Sequence, residues 1–376
     1  MTTDEIYQML GEHLSRLGMG YPMRDDLIDI LRETFTAEEA EVALAIPNTV
    51  IPLQPVSVEE ISAGVDLPQE KLVEILESLA EKGMLFSAMT DAGEQGYALH
   101  QVGFGFPQTF FWAGEESSHG RKMAMLTAKY FNRQVTREAF SPSETKPYRY
   151  VPVGRSLEPG LQAVMPHHMM ETVVEQAEVL AVAHCSCRVA YALGGRGCEH
   201  PTEVCMKFND MARYVIDRGF GREITKKEAL EIIKKTEEAG LVHFVDNADG
   251  DIQHNCNCCG CACWNVGSIR RRKIPRDVLM AVYFFRETDE EECTGCGTCV
   301  EACPVNALKM EGDFAVVDHE WCIGCGVCST VCPSDAVKMV LRPDRTGQLP
   351  AANFKQLHET IRKEKNLDKT TPSSLP

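Results

Sequence analysis

With 376 residues, the chain is longer than one ordinary domain, so we expect two or three folded units. Its 38 basic and 55 acidic residues give a net charge of -17, which argues against a large sequence-independent attraction to nucleic acid or anionic lipid and favours a basic partner surface. The sequence shows no secretory signal and no apolar run of about 18 residues, so we expect a cytoplasmic protein without a transmembrane segment. In that compartment the 17 cysteines stay reduced, and metal binding explains them better than disulfides.

The first structured region predicted is helical. Residues 23–46 carry two helical patterns, and the pattern of residues 57–83 predicts a helix, a turn and a second helix. Ser57 and Glu60 form a predicted capping box, Pro68 begins the second helix and Gly83 ends it. A hairpin follows in "MLFSAM" and "YALH". Over residues 22–100 this order resembles a winged-helix domain, and many such domains bind DNA.

The charge of this region argues against DNA binding. Between residues 57 and 82 there are seven acidic and two basic side chains, which gives a net charge of -5. A helix that reads a DNA groove needs Arg or Lys for phosphates and base edges. We therefore favour a protein-interaction module and expect no nucleic-acid partner, with a cluster-based redox-sensing transcription regulator as an alternative.

The first cysteine group follows a connecting segment over residues 116–175. The strand predicted for "VLAVAHC" leads into it, and a helix opened by Pro201 is expected to carry its last cysteine. The group consists of Cys185, Cys187, Cys198 and Cys205.

The second group lies in "HNCNCCGCACWN", residues 254–265. A predicted helix over residues 226–239, capped by Thr225 with Glu228 three residues later, leads into the strand "LVHFV" and a turn at "NADG". The chain then returns through "IQHNC" to a loop. The group consists of Cys256, Cys258, Cys259, Cys261 and Cys263.

Several interpretations of these nine cysteines stay open. One or two further iron–sulfur clusters are favoured, because the adjacent thiolates of Cys258 and Cys259 do not easily point at one metal. The first alternative is tetrahedral zinc, held by four sulfurs or with help from His184, His200 or His254. A thiol–disulfide redox pair or buried cysteines are the remaining alternatives. Two all-cysteine cubanes use eight thiolates, so the ninth would be a redox group, a substrate-facing group or a bridging ligand.

The strongest motif is a tandem repeat. Residues 293–304 read "CTGCGTCVEACP" and residues 322–333 read "CIGCGVCSTVCP", each with the spacing C-x2-C-x2-C-x3-C-P that is typical of [4Fe-4S] ligation. Zinc modules use pairs of C-x2-C, so eight structural zinc ligands are a weak alternative. A short helix over residues 305–309 and a hairpin are predicted between the two runs.

Residues 290–340 thus resemble a bacterial two-cluster ferredoxin. The resemblance implies two [4Fe-4S] clusters, each held by three thiolates of one run and the fourth of the other. The implied ligands are Cys293, Cys296, Cys299 and Cys332 for one cluster and Cys322, Cys325, Cys328 and Cys303 for the other.

We therefore predict an α+β multidomain protein. The expected parts are a winged-helix-like N-terminal domain at 1–115, the connecting segment, a cysteine-rich α/β metal-binding domain at 176–285, a ferredoxin domain at 286–342 and a C-terminal tail at 343–376, the end of which we expect to be mobile.

The predicted function is single-electron transfer, as a subunit or partner of a larger anaerobic oxidoreductase. The expected partner is a redox protein, such as a flavoprotein or another oxidoreductase subunit. The alternative from another class is an iron–sulfur reductase with its substrate site at a centre in residues 185–263. No dinucleotide or P-loop motif is present.

Overall fold

A computed structural model describes residues 2–367 of the chain. Met1 and residues 368–376, which form the end of the predicted C-terminal tail, lie outside the described residues. The chain divides into two compact units: one comprises the described residues of Met1–Phe110, Ser117–Thr145 and Lys355–Pro376, and the other comprises Phe111–Glu116 and Lys146–Phe354. The structure contains both helices and sheets, which agrees with the predicted α+β class. No helix within residues 2–367 has the length and hydrophobicity needed to cross a bilayer.

The α-helices, in chain order, are α1 Thr3–Ser15, α2 Asp25–Thr34, α3 Ala37–Ala45, α4 Val58–Ser62, α5 Gln69–Glu81, α6 Thr109–Trp112, α7 Ser118–Tyr130, α8 Arg133–Phe140, α9 Pro159–Val164, α10 Met170–Gln176, α11 Ser186–Leu193, α12 Asn209–Asp217, α13 Lys226–Glu238, α14 Val266–Arg270, α15 Thr298–Ala302, α16 Val327–Thr330 and α17 Phe354–Glu364. Short 3-10 turns lie at Gly154–Ser156, Pro166–His168, Arg276–Val278 and Pro343–Arg345.

The strands are β1 Val56–Ser57, β2 Leu85–Met89, β3 Gln95–Leu99, β4 Tyr148–Val151, β5 Leu180–His184, β6 Glu203–Phe208, β7 Arg222–Glu223, β8 Val242–Asp246, β9 Ala248–Gly250, β10 His254–Cys258, β11 Met280–Ala281, β12 Phe284–Thr288, β13 Leu308–Glu311, β14 Phe314–Val317, β15 Val337–Leu341 and β16 Ala351–Asn353.

The first unit contains the elements predicted for the N-terminal region. Helix α5 follows α4, and strands β1–β3 form a sheet of order β1-β3-β2. The Ser57 hydroxyl accepts a hydrogen bond from the Glu60 N–H (3.2 Å), which begins α4. Pro68 precedes α5, and Gly83 follows it with φ 71°, as the sequence predicts. The winged-helix resemblance itself stays a prediction.

The second unit is built on a seven-stranded sheet of order β11-β4-β8-β10-β6-β5-β7. Only the pair β11–β4 is parallel; the other pairs are antiparallel. Residues Val204, Met206 and Phe208 of β6 lie in an apolar core with α10 and α13. Because side chains alternate along a strand, Cys205 and Lys207 project from the opposite face of the sheet. This face carries the first metal-ligand candidates.

Two predicted elements in this unit are wrong. Cys205 lies on strand β6, and no helix begins at Pro201; pairing with β5 on one side and β10 on the other makes 203–208 a central buried strand. The helix predicted at 305–309 is also absent from the described structure. Asn306 has φ 52°, a left-handed conformation that interrupts a helix, and β13 begins at Leu308.

Candidate metal centres

The ferredoxin-like segment brings its eight cysteines into two groups of four. Each group lines a small cavity and combines three cysteines of one run with one of the other. The first cavity is lined by Cys293, Cys296, Cys299 and Cys332, and the second by Cys303, Cys322, Cys325 and Cys328.

Glycines in both runs let the backbone fold tightly around these cavities. Gly297 (φ 75°) and Gly326 (φ 73°) immediately precede α15 and α16, the short helices that carry Cys299 and Cys328. Gly324 also has a positive φ of 65°, and a Cβ atom there would overlap the Phe284 carbonyl oxygen. Side chains are excluded from this position by both conformation and space.

Hydrogen-bond donors point at the sulfurs of both groups. The Ala307 N–H donates to Cys303 Sγ (3.2 Å), and Arg286 Nη2 donates to Cys299 Sγ (3.7 Å). Arg286 is only 1% exposed and lines both cavities. Burial raises the pKa of Cys325, so a bare thiolate there is costly. A buried cation and N–H donors therefore favour a bound, negatively charged iron–sulfur cluster over protonated thiols.

Six of the other nine cysteines form one connected set, which we call the six-cysteine set. Its members lie on strands β6 and β10, at the start of helix α11, which follows β5, and in the loop after β10. Interactions between neighbouring sulfurs couple its members in the order Cys185, Cys187, Cys263, Cys258, Cys256 and Cys205, and Cys263 Sγ donates a hydrogen bond to Cys258 Sγ.

The register of the sheet explains this assembly. Asn255 of β10 pairs with Met206 of β6, so the next position of this antiparallel pair places Cys256 beside Cys205. Cys258 lies two residues further on the same face, and its Sγ is 3.3 Å from Cys263 Sγ. No sequence spacing specifies this pairing.

The pKa values alternate along the six-cysteine set. Hydrogen bonding between neighbouring sulfurs lowers the pKa of the thiols at Cys185, Cys263 and Cys256. The same contacts raise the pKa of the thiols at Cys187, Cys258 and Cys205. Without metal, the three thiols with a raised pKa therefore hold their protons more tightly than the other three. Metal binding would displace those protons, since the thiolate is the ligand form.

Two cations lie beside this set. Burial alone would lower the pKa of Arg188, but interactions with the sulfurs of Cys185, Cys258 and Cys259 together raise it above its ordinary value. Lys207 is 3% exposed; its Nζ lies 4.3 Å from the ring centroid of Trp112, and its charge acts on Cys205 and Cys256. Buried cations in these positions balance thiolate charge, as a metal centre requires.

Tyr150 gives an independent test of whether a cluster fits. Its side chain is 1% exposed, and within the described part of the chain its hydroxyl has no hydrogen-bond partner. Burial raises its pKa, and the thiols of Cys263, Cys258 and Cys325 raise it further. A buried donor without an acceptor costs about 1–3 kcal/mol. The sulfur of a bound iron–sulfur centre would supply the missing acceptor, so the site fits one.

The remaining three cysteines gather with one histidine. One ligand atom each of Cys198, His200, Cys259 and Cys261 lies within 4.8 Å of the other three, and we call these residues the four-donor set. Cys261 Sγ is 3.8 Å from His200 Nδ1. Burial, and then the charge of Arg188, lower the pKa of His200, which keeps its imidazole neutral and able to bind a metal.

The other two histidines considered from the sequence have different neighbours. His184 Nδ1 lies 3.2 Å from the Thr202 hydroxyl, and His254 Nδ1 lies 3.1 Å from Asp246 Oδ1. Of the three, the structure therefore brings only His200 to a group of cysteines within residues 2–367. Tyr150, Lys207 and Arg286 were missed from the sequence, because nothing near them in the sequence shows that the fold brings them near cysteines.

Comparisons with known proteins agree with the C-terminal part of this description. Residues 292–336 match the family model of the 4Fe-4S dicluster domain. No curated protein matches the chain, and no solved structure does. The family match supports a ferredoxin-type domain near the C-terminus, and together with the cysteine-rich regions it supports an iron–sulfur electron-transfer role.

Proposed function

We propose that this chain relays single electrons through two ferredoxin-type [4Fe-4S] clusters and one further iron–sulfur centre held by the six-cysteine set. It would do so in the cytoplasm, as a subunit or partner of a larger anaerobic oxidoreductase. The ligands of the first cluster would be Cys293, Cys296, Cys299 and Cys332, and those of the second Cys303, Cys322, Cys325 and Cys328.

The observation that carries this proposal is the position of Tyr150. On the sheet, Tyr150 pairs with Phe244, which pairs in turn with Cys256. Strands lie about 4.8 Å apart, so the backbones of Tyr150 and Cys256 are roughly 10 Å apart. Just after β4, the Val153 N–H donates to the Cys325 carbonyl oxygen (3.0 Å). Tyr150 therefore stands between the six-cysteine set and the second ferredoxin group.

Such an arrangement suits outer-sphere transfer. An enclosed cubane exchanges electrons without forming or breaking bonds to a substrate, so no acid, base or nucleophile is required. The protein sets the potential through hydrogen bonds to sulfur, burial and nearby charge. Arg286 supplies buried positive charge beside both ferredoxin cavities, and Lys207 supplies it beside the six-cysteine set.

The test is whether electrons reach the additional centre through the second ferredoxin cluster. Anaerobic protein is mixed with dithionite and freeze-quenched, and the reduction of each centre is followed by EPR. We expect Cys325→Ser to slow reduction of the additional centre strongly. Cys296→Ser, which alters the other cluster at an exposed cysteine, is the matched control and should slow it less. Equal rates in both variants and the unaltered protein would reject the relay.

An iron–sulfur reductase is the second candidate, and a cavity favours it. This cavity of about 360 Å³ is lined by His200, Cys261, Arg270, Cys303 and Thr330, among others, so it adjoins a ferredoxin cysteine. A small oxidised substrate there would lie near an electron source. A reductase predicts saturable reoxidation of the reduced protein by one member of a panel of sulfite, nitrite and organic disulfides. Filling the cavity with Thr330→Trp should abolish that saturation and leave reduction by dithionite unchanged.

A further inference from the structure

We propose that the four-donor set, Cys198, His200, Cys259 and Cys261, binds one zinc ion. The nine cysteines outside the ferredoxin-like segment would then divide into three zinc ligands and six ligands of one polynuclear centre. Nine thiolates do not fit two cubanes, and this division accounts for all of them. The proposal stands apart from the electron relay, because it concerns a metal that carries no electrons.

Compactness separates this set from the others. All four ligand atoms lie within 4.8 Å of one another, and no other group of three or more His, Cys, Asp or Glu within residues 2–367 is as compact. In the two ferredoxin groups and the six-cysteine set, no three sulfurs all lie this close to one another, although Cys258 and Cys263 are 3.3 Å apart as a pair. Thiolates on separate irons of a cubane must stand farther apart than ligands that share one metal. The four-donor set thus has the size of a mononuclear site.

The distance between the Cys261 sulfur and the His200 imidazole also agrees with a site for one metal ion. Zinc binds sulfur at about 2.3 Å and imidazole nitrogen at about 2.0–2.1 Å, so a tetrahedral ion holds these two atoms about 3.6 Å apart. The separation of Cys261 Sγ and His200 Nδ1 is 3.8 Å. Only a small inward movement would bring them onto one ion.

The donor types identify the metal. Three thiolates and one neutral imidazole form a soft, tetrahedral set, which is the Cys3His pattern of structural zinc sites. All four positions are filled by protein atoms, so none is left for a substrate. An octahedral oxygen-seeking ion such as magnesium would find no suitable ligand here.

In this fold, the zinc ion would have a structural role, because its four ligands come from two different loops. Cys198 and His200 come from the loop between α11 and β6, and Cys259 and Cys261 come from the loop after β10. Cys259 is buried beside Leu241, and Cys198 and Cys261 pack against this small cluster. A zinc ion would tie the two loops together and fix the neighbouring residues of the six-cysteine set. The 360 Å³ cavity, lined by His200 and Cys261, gives the ion a route from solvent.

Metal analysis of the anaerobically purified full chain tests the proposal. We expect about one zinc per chain beside the iron. His200→Ala and Cys198→Ser should lose the zinc while iron content stays unchanged. His200→Cys, which supplies a fourth thiolate, should retain it. Cys205→Ser is the matched control from the six-cysteine set and should lose iron while keeping zinc.

Absence of zinc from the unaltered protein, or loss of iron rather than zinc in His200→Ala, would overturn the proposal. Zinc-edge X-ray absorption of the unaltered protein decides the matter even if the variants fail to fold. Three sulfurs at about 2.3 Å and one nitrogen at about 2.0 Å are expected. A shell of sulfur alone, or of oxygen and nitrogen alone, would reject the four-donor set as the binding site.

Discussion

The two cysteine-rich regions of the second unit collect their sulfurs in different ways. In the ferredoxin-like segment, each group takes three cysteines from one short run, and glycines bend that run around its cavity. In the other region, sulfurs from 185–187, 198–205 and 256–263 meet because β5, β6 and β10 are neighbours in one sheet. Local spacing determines the first arrangement and strand register determines the second.

The largest expected effect comes from removing one sulfur in each region. Cys258→Ser should eliminate the additional iron–sulfur centre, because Cys258 contacts both Cys256 and Cys263. The ferredoxin EPR signals should persist, since the cysteines proposed to hold those clusters line separate cavities. Iron content and EPR of the dithionite-reduced protein measure both effects.

Cys296→Ser is the reciprocal variant. It should disturb one ferredoxin cluster and leave the additional centre intact. If either variant removed the iron of both regions, the two regions would form one cooperative metal assembly. The claim that each region gathers its sulfurs independently would then be wrong.

A second prediction tests the claim that backbone geometry shapes the ferredoxin-like segment. Gly324 and Gly297 both have positive φ, but an added Cβ would overlap the Phe284 carbonyl at Gly324 and meet no atom within 4 Å at Gly297. Gly297→Ala should cost about 1–2 kcal/mol, the usual cost of a left-handed residue with a side chain. Gly324→Ala should cost roughly 3 kcal/mol or more, since a steric overlap is added.

Thermal loss of the cluster absorbance in the visible range reports this difference. The midpoint should fall more for Gly324→Ala than for Gly297→Ala, at one heating rate and under argon. Equal midpoints would show that the close approach at Gly324 relaxes without cost.

The predictability of each region from sequence follows from the same contrast. The ferredoxin groups could be anticipated because their cysteines lie in repeated short motifs. The six-cysteine set could not, because it depends on the pairing of Asn255 with Met206, two residues 49 positions apart in the chain. Sequence reasoning placed Cys205 on a helix, which would have turned it away from this face of the sheet.

The sequence contains even less information about which buried polar side chains lie near the sulfurs. Thr225 and Pro68 mark helix starts through local chemistry, and both predictions are confirmed. Arg286 and Tyr150 reach the sulfurs only through tertiary packing, and neither lies in a cysteine motif. A charged residue in a strand pattern predicts a solvent-facing side chain, yet Arg286 is 1% exposed.

A third prediction concerns Arg286, which would tune the ferredoxin potentials alone. Arg286→Gln removes a buried positive charge and weakens the contact with Cys299 Sγ, so the reduced, more negative cluster loses stabilisation. We expect a reduction potential lower by on the order of 60 mV, about 1.4 kcal/mol for one electron. An EPR-monitored redox titration measures it.

Lys207→Met is the control from the other region. It should lower the reduction potential of the additional centre and leave the reduction potentials of the ferredoxin clusters unchanged. A shift of every potential by the same amount in both variants would mean that the regions share one electrostatic environment.

The smallest expected effect tests the residue that stands between the regions. Tyr150→Phe keeps the ring and removes the hydroxyl, so a hydrogen bond to the proposed centre is lost while packing is preserved. We expect the potential of the additional centre to fall by roughly 30 mV, about 0.7 kcal/mol for one electron. Tyr148→Phe, on the same strand with its ring 5.1 Å from that of His254, is the matched control. An equal shift of the reduction potential in both variants would mean that a general change in strand β4, and not the Tyr150 hydroxyl, causes the effect. A shift confined to Tyr150→Phe would mean that its hydroxyl donates to the centre, as we expect from its burial and from the influence of Cys263, Cys258 and Cys325 on its pKa.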